Sequence, residues 1–414
     1  MQNPTHGNEL PKHWQIKKLG EVCKIVYGKG LSTKELKESG YPVYGANGII
    51  GCNDKYLYEE AEVLISCRGV YSGKINFSPS KCYVTNNSLI LEINDKKQLD
   101  KKFLYHILHT VNKTKLVTGT AQPQVTINNA VELSFSLPPL PEQQLIVSKI
   151  EQLLSELEKG KQQLETAQQQ LKVYRQSLLK FAFEGKLTNK KIKEGELPKG
   201  WEWKELKNVV ERISDGPFGS NLKSIDYVEK GVRVIRLENI GELEFKDEYK
   251  TFVTKEKYET IKRHTVSKGD IIFSSFILEK IRTVILPDYI DKAINKADCF
   301  LIRTSESTIN KKYLVYYFST KAMHNQLVGE IHGATRPRIN TTQLKATQIP
   351  VAPLTEQTKI VSEIESRLSV CNKIEDTISE SLLQAEALRQ SILKKAFEGK
   401  LVKQETKTNN KVLA

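Results

Sequence analysis

Long apolar runs are absent from this sequence. No stretch approaches 18 uninterrupted apolar residues, so no hydrophobic membrane-spanning helix is expected. The opening segment, MQNPTHGNELPKHW, lacks the basic-then-apolar pattern of a secretory signal, which predicts a soluble, unexported protein. Cysteine is scarce. Cys23, Cys52, Cys67, Cys82, Cys299 and Cys371 form no CxxC pair and have no histidine at zinc-finger spacing, so reduced, mostly structural thiols and a cytoplasmic setting are expected. The seven histidines show no ligand spacing either, and no metal site is expected.

Motifs of catalysis are missing too. There is no GxxxxGK[ST] loop to cradle phosphates and no glycine-rich strand-to-helix turn with a downstream ribose acid, so ATP and dinucleotide use are unsupported. No Asn/Asp-Pro-Pro-aromatic tetrad is present to hold a target amine for methyl transfer. The segment EGK at Glu184 and again at Glu398 matches half of a metal-dependent nuclease signature. The upstream aspartate that would share the cation is missing, so a helix stop with a basic residue beside it is the better reading. No catalytic residue is assigned.

What the chain does have is basic charge and a long internal repeat. Its 414 residues, 39% hydrophobic, suffice for two or three domains, and 63 Lys plus Arg against 49 Asp plus Glu leave a formal charge of +14. That excess favours an anionic partner, with nucleic acid the leading candidate. RQSLLKFAFEGKL at Arg175 returns as RQSILKKAFEGKL at Arg389, 214 positions later. The same register links PLPEQQLIVSKIEQLL to PLTEQTKIVSEIESRL and GTAQPQVTIN to GATRPRINTT. LPKHWQIKKLGEV at Leu10 and LPKGWEWKELKNV at Leu197 mark where each copy opens. Trp14 to Glu142 spans 128 positions and Trp201 to Glu356 spans 155, so a unit of variable length precedes a constant one, twice.

The constant unit reads as a coiled-coil helix. From Ile150 through Leu153, Leu157, Gly160, Leu164, Ala167, Leu171, Tyr174, Leu178 and Phe181, spacings alternate three and four, a heptad seam interrupted by the glycine. The second copy repeats it through Ile364, Cys371, Ile374, Ile378, Ala385, Leu388 and Ile392, weakened by Arg367 and Ser381. Proline and acid at Pro141 and Glu142 suit a first turn, as do Thr355 and Glu356, while Gly185 and Gly399 suit the stops. Two matched seams in one chain predict an intramolecular antiparallel pair, each arm roughly 60 Å long. An intermolecular zipper is the alternative.

The variable units are punctuated by turns such as GKG, GANG, DGPFG and KGD between short β-branched runs, with helical KKFLYHILHT and KKYLVYYFST near their ends. Each is expected to be an α/β or α+β globule. The expected divisions are 1–139 and 188–352 for the variable domains, 140–187 and 353–403 for the helices, and a disordered tail at 404–414.

With two variable domains and two near-identical helices, the whole chain resembles the specificity subunit of Type I restriction-modification systems. The resemblance rests on that order of parts and on LPKHW and LPKGW, YPVYGANGIIG and GVRVIRLENIG, PLPEQQLIV and PLTEQTKIV, and the two AFEGKL endings. It implies two target recognition domains held apart by an antiparallel coiled coil. It also implies recruitment of two methyltransferase subunits and, in the full complex, two ATP-dependent restriction subunits. S-adenosylmethionine, ATP and magnesium would then be used by those partners, with no cofactor on this chain.

Unlike recognition domains predict a two-part, asymmetric target in double-stranded DNA, with a gap of up to about 18 base pairs set by the helices. Inserting about one heptad near Gly160 should then lengthen the gap or abolish activity, while leaving each half-site unchanged. The pre-helix loops supply the first candidates for DNA contact: Gln122 and Gln124 in one copy, Arg336 and Arg338 at matching positions in the other. Glutamine suits adenine and arginine suits guanine in bidentate contacts. Further candidates are Asn47, Arg68, Lys74, Asn221, Lys223, Arg233, Arg236 and Lys280, with ordinary solvated charge the alternative for the cations. A stand-alone DNA-binding regulator with an internal coiled coil is the competing reading of the whole.

Overall fold

The computed structural model describes residues 10–119, 122–189, 192–193, 195–277, 279–329 and 338–402. Two compact units emerge. One combines Met1–Leu164 with Glu380–Ala414, and the other is Glu165–Ser379. They divide the chain differently from the linear boundaries expected above, because each unit takes the start of one long helix and the end of the other. The tail at 404–414 lies outside the described residues.

In the first unit an antiparallel sheet runs in the order Cys23–Tyr27, Ser88–Ile93, Val63–Ser66, Ile75–Phe77. The run Val63–Ser66 is buried along its whole length, which explains its unbroken apolar character. Val63 and Ile65 pack with the helix Lys101–Leu108, while Leu64 and Ile90 pack on the other side with Tyr44 and Val84. Tyr44 and Val84 belong to a second sheet, in which Tyr41–Tyr44 pairs antiparallel with Ile49–Asn53 and parallel with Tyr83–Val84. Gln15–Lys18 pairs antiparallel with Ser134–Leu137 and closes the domain just before the long helix.

The second unit repeats this plan. Its antiparallel sheet has the order Arg212–Ser214, Cys299–Arg303, Ile271–Ser274, Thr283–Ile285. Val232–Ile235 pairs parallel with Ala293–Asn295, and Glu202–Glu205 pairs antiparallel with Gln348–Val351. Both units are therefore α+β. The extra length of the second copy lies partly in Tyr227–Val228, the helix Lys255–Ile261 and Thr265–Val266, and partly in the helix Lys321–Val328.

Glu142 and Gln143 explain why the start of each constant unit is repeated. The Trp14 indole N–H donates to Glu142 at 3.1 Å, and that of Trp201 donates to Glu356 at 2.9 Å. Gln143 is fully buried, accepts from the Asp100 N–H and donates to the carbonyls of Gln98 and Pro138, all at 2.8 Å. Gln357 does the same for the Asn310 N–H and the Ala352 carbonyl. Each helix is thus tied to its preceding domain by buried polar groups whose loss would leave backbone unpaired.

The long helices are Leu140–Phe183 and Leu354–Phe397. Both stop at a left-handed glycine, Gly185 with φ +74° and Gly399 with φ +71°. The N–H of Lys186 reaches the Phe181 carbonyl and that of Lys400 reaches the Lys395 carbonyl, so EGK is a helix stop in both copies. The helices pair antiparallel. In the first unit Leu153 and Leu157 share a cavity with Leu388 and Ile392. In the second, Arg175 bonds Asn372 at 2.8 Å and Glu375 at 2.7 Å, while Phe183 packs with Ile360 and Ile364.

The seam departs from a strict heptad pattern. Gln357, Ile364, Cys371, Ile378, Ala385 and Ile392 form a buried row of period seven, matched by Gln143, Ile150 and Leu178, with Leu157, Leu164 and Leu171 half-buried between them. Leu153 is also half-buried. The other heptad row is less well covered: Tyr174, Phe181, Ile374 and Leu388 are 42%, 47%, 44% and 51% exposed. The expected seam positions Ile374 and Leu388 are thus corrected to the margin. A straight helix with 3.6 residues per turn would drift about 20° per heptad, so a row of period seven that stays buried from Gln357 to Ile392 fits a left-handed supercoil.

Candidate nucleic-acid interface

In the first unit the strand Val63–Ser66 leads through Cys67 and Arg68 into a single turn, Gly69–Tyr71, and returns at Lys74. The pre-helix loop folds onto this corner. Thr118 and Gln124 exchange backbone hydrogen bonds at 2.9 and 2.8 Å, and the Val125 N–H donates to the Cys67 carbonyl at 3.0 Å. The Gly69 N–H and the Ser72 hydroxyl both donate to the Pro123 carbonyl. Gly119 makes the turn possible: its φ is +84°, and a Cβ there would stand 2.6 Å from the Gln122 carbonyl oxygen.

Arg68 and Gln124 face each other in an antiparallel bridge, which sends their side chains to the same side. Lys74 donates to the Asn47 side-chain carbonyl and lies 5.7 Å over the Tyr71 ring. Asn47 itself sits in the GANG turn, closed by a hydrogen bond from Gly45 to Gly48 and tied by the Ser66 hydroxyl to the Ala46 carbonyl. Two pairs, Asn47 with Lys74 and Arg68 with Gln124, flank the turn Gly69–Tyr71, and Gln122 is exposed on the same loop as Gln124. These are all five candidates that the sequence supplied for this unit. Cations, amides and one aromatic ring on an exposed corner offer phosphate contacts and base-edge hydrogen bonds together.

The second unit builds the same corner from other residues. Phe276 and Arg338 form the bridge, and the Ile339 N–H donates to the Ser275 carbonyl at 3.0 Å. The Ser275 N–H donates to the Asp298 carbonyl at 2.9 Å, as the Cys67 N–H does to that of Asn87. Arg68, Asn87 and Gln124 therefore occupy the backbone positions of Phe276, Asp298 and Arg338. Arg336 lies outside the described residues.

Three of the remaining candidates of this unit, Arg233, Arg236 and Lys280, are engaged elsewhere. Arg233 is 9% exposed, donates to the Asp247 carboxylate at 3.0 Å and the Tyr249 carbonyl at 2.9 Å, and lies on the Phe252 ring. Its strand points it into the domain, so it is corrected to a structural residue. Arg236 donates to Glu238 at 2.7 Å and Lys280 to Glu242 at 2.8 Å, so a carboxylate already meets each cation. Asn221 and Lys223 are exposed beside the DGPFG turn. Phe276, Asp298 and Asn87 were missed. Aligning EVLISCR with DIIFSSF and VTNNSLI with INKADCFLI would have found them.

Among the described residues no group of three His, Cys, Asp or Glu could hold a metal ion, and no helix is long and apolar enough to cross a membrane. All six cysteines are free.

Comparison with known proteins agrees with this doubled plan. The sequence model of the Type I restriction modification DNA specificity domain matches residues 11–166 and 198–384. The chain is 26% identical to the Type I restriction enzyme MjaVIII specificity subunit of Methanocaldococcus jannaschii, covering 96% of this chain and 95% of that one. It is 27% identical to the EcoDI specificity subunit of Escherichia coli, covering 96% and 91%. In fold it is similar to a chain solved in a study of complex assembly and conformational transition of the type I R-M system, with TM-score 0.71 and 20% identity, covering 95% of this chain and 99% of that one. The HsdS subunit from Thermoanaerobacter tengcongensis follows at TM-score 0.61, with the same identity and coverage.

Proposed function

The chain belongs to the Type I restriction-modification DNA specificity family, and from that premise we propose that it reads a two-part DNA sequence, one recognition domain per half-site. The observation that carries this is the doubled corner: one backbone scaffold, built twice, presents Arg68, Asn87 and Gln124 in one domain and Phe276, Asp298 and Arg338 in the other. Equivalent positions with unlike donors and acceptors suit two unlike half-sites. The +14 charge supplies the sequence-independent attraction to phosphate.

The chain acts in the cytoplasm as a non-catalytic subunit. The repeated helix starts and AFEGKL stops offer equivalent surfaces to two methyltransferase subunits, with two restriction subunits joining in the full complex. Those partners carry S-adenosylmethionine, ATP and magnesium. Methylome sequencing of a host expressing the chain with its methyltransferase partner tests this: two unlike half-sites separated by a fixed gap are expected, with one modified adenine in each. A continuous or palindromic motif would overturn the two-reader assignment. Tight, specific DNA binding by a chain that never co-purifies with a methyltransferase would favour a stand-alone regulator.

A further inference from the structure

Arg338 is held in a setting unlike that of a free surface cation. Its guanidinium lies 4.4 Å from the centre of the Phe276 ring, its partner in the backbone bridge. One edge faces the Asp298 carboxylate, with Nη1 3.4 Å from Oδ1. The Asp298 backbone is held by its carbonyl, which accepts the Ser275 N–H at 2.9 Å, and its Oδ1 accepts from the Ser275 hydroxyl at 3.5 Å. The Arg338 side chain nonetheless remains 50% exposed.

A second arginine in the same unit shows what a purely structural pair looks like. Arg303 grips Asp270 with two hydrogen bonds of 2.8 and 2.6 Å, and Asp270 is 5% exposed. Both Asp270 oxygens are consumed and the fork is closed. At Arg338 a ring covers one face and a carboxylate meets one edge, so the plane is set while half of the side chain stays exposed. A planar fork held in this way is suited to the paired acceptors O6 and N7 of guanine.

Deepening the two-half-site reading, on which this rests, we propose that Arg338 reads a guanine for the second recognition domain and that Phe276 and Asp298 are the positioning residues that orient it. The first domain has no carboxylate among its three equivalent positions. Its Gln124 faces Arg68 across the bridge, so that corner reads a different base pattern.

The test is selection from randomised duplex DNA by the full chain in its methyltransferase complex, comparing wild type with Arg338→Lys, Arg338→Ala, Asp298→Asn and Phe276→Leu. Arg338→Lys keeps the charge and loses the fork. It should reduce preference for guanine at one position of one half-site on the order of ten- to a hundredfold, leaving the other half-site unchanged. Asp298→Asn and Phe276→Leu should relax the same position by less, with the salt dependence of binding unaltered; a merely structural role would not move base preference at a single position. Unchanged preference in both Arg338 variants, or a uniform loss across all sequences, overturns the proposal. A wild-type complex that enriches no two-part sequence would instead overturn the reading beneath it.

Discussion

The two recognition domains differ most where they look outward and least where they meet their helices. Trp14 and Trp201, Glu142 and Glu356, Gln143 and Gln357, Ile150 and Ile364 are the same residues, with the same indole-to-carboxylate and amide-to-backbone bonds and the same burial. Arg68, Asn87 and Gln124 give way to Phe276, Asp298 and Arg338, a different residue at each position, although the backbone bonds beneath them are the same. Buried groups are constrained by packing and by the cost of an unpaired donor, whereas an exposed corner is constrained only by what it binds.

The deepest test of equivalence lies in the helices. Ile150→Ala and Ile364→Ala, both at fully buried sites, should each destabilise their own unit by about 2–5 kcal/mol. Hydrogen exchange resolved by unit in rising urea measures this, and a large loss in one unit only would break the match. Next come the buried amides. Gln143→Leu and Gln357→Leu leave the N–H of Asp100 or Asn310 unpaired and should cost about 1–3 kcal/mol each. The loss should be greater at Gln143, which also serves two carbonyls.

Acid should separate the units. Burial holds His106 below its ordinary value of 6.5, outweighing the opposing pull of Glu151. The folded state therefore takes up this proton at lower pH than the unfolded state does. The contribution is fully present above pH 6.5 and is lost as pH falls below it. The matching position in the second unit is Tyr316, pushed up to about 12 by burial and neutral throughout that range. Between pH 7 and 5, exchange at Lys101–Leu108 should accelerate more than at Lys311–Phe318, and His106→Phe should narrow the difference, the remainder coming from His109 at the end of the same helix, which burial lowers to about 4. The smallest effect is chemical. Cys52 is half-buried, while burial pushes Cys23 up to about 12 and Cys82 to about 11. At pH 8 a thiol reagent should mark Cys52 first, and the second unit, whose Cys299 and Cys371 are buried, only on unfolding.

Much of the plan was legible in the order of residues. A 214-position register, a heptad stripe and matched EGK stops are local or periodic signals, and these specify helices, their pairing and a doubled α+β architecture without reference to distant contacts. Cation count and amide identity in the pre-helix loops also pointed toward Gln124 and Arg338. What the order of residues could not decide was which cations were already engaged. Arg233 and Arg338 look alike as letters. Only the tertiary structure sets one against Asp247 inside the domain and leaves the other half-exposed on Phe276 and Asp298, because turns and a bridge that the order of residues does not place bring those partners in. The helix rows divide in the same way: heptad spacing named both, but only packing leaves one buried from Gln357 to Ile392 and the other, with Ile374 and Leu388, at the margin.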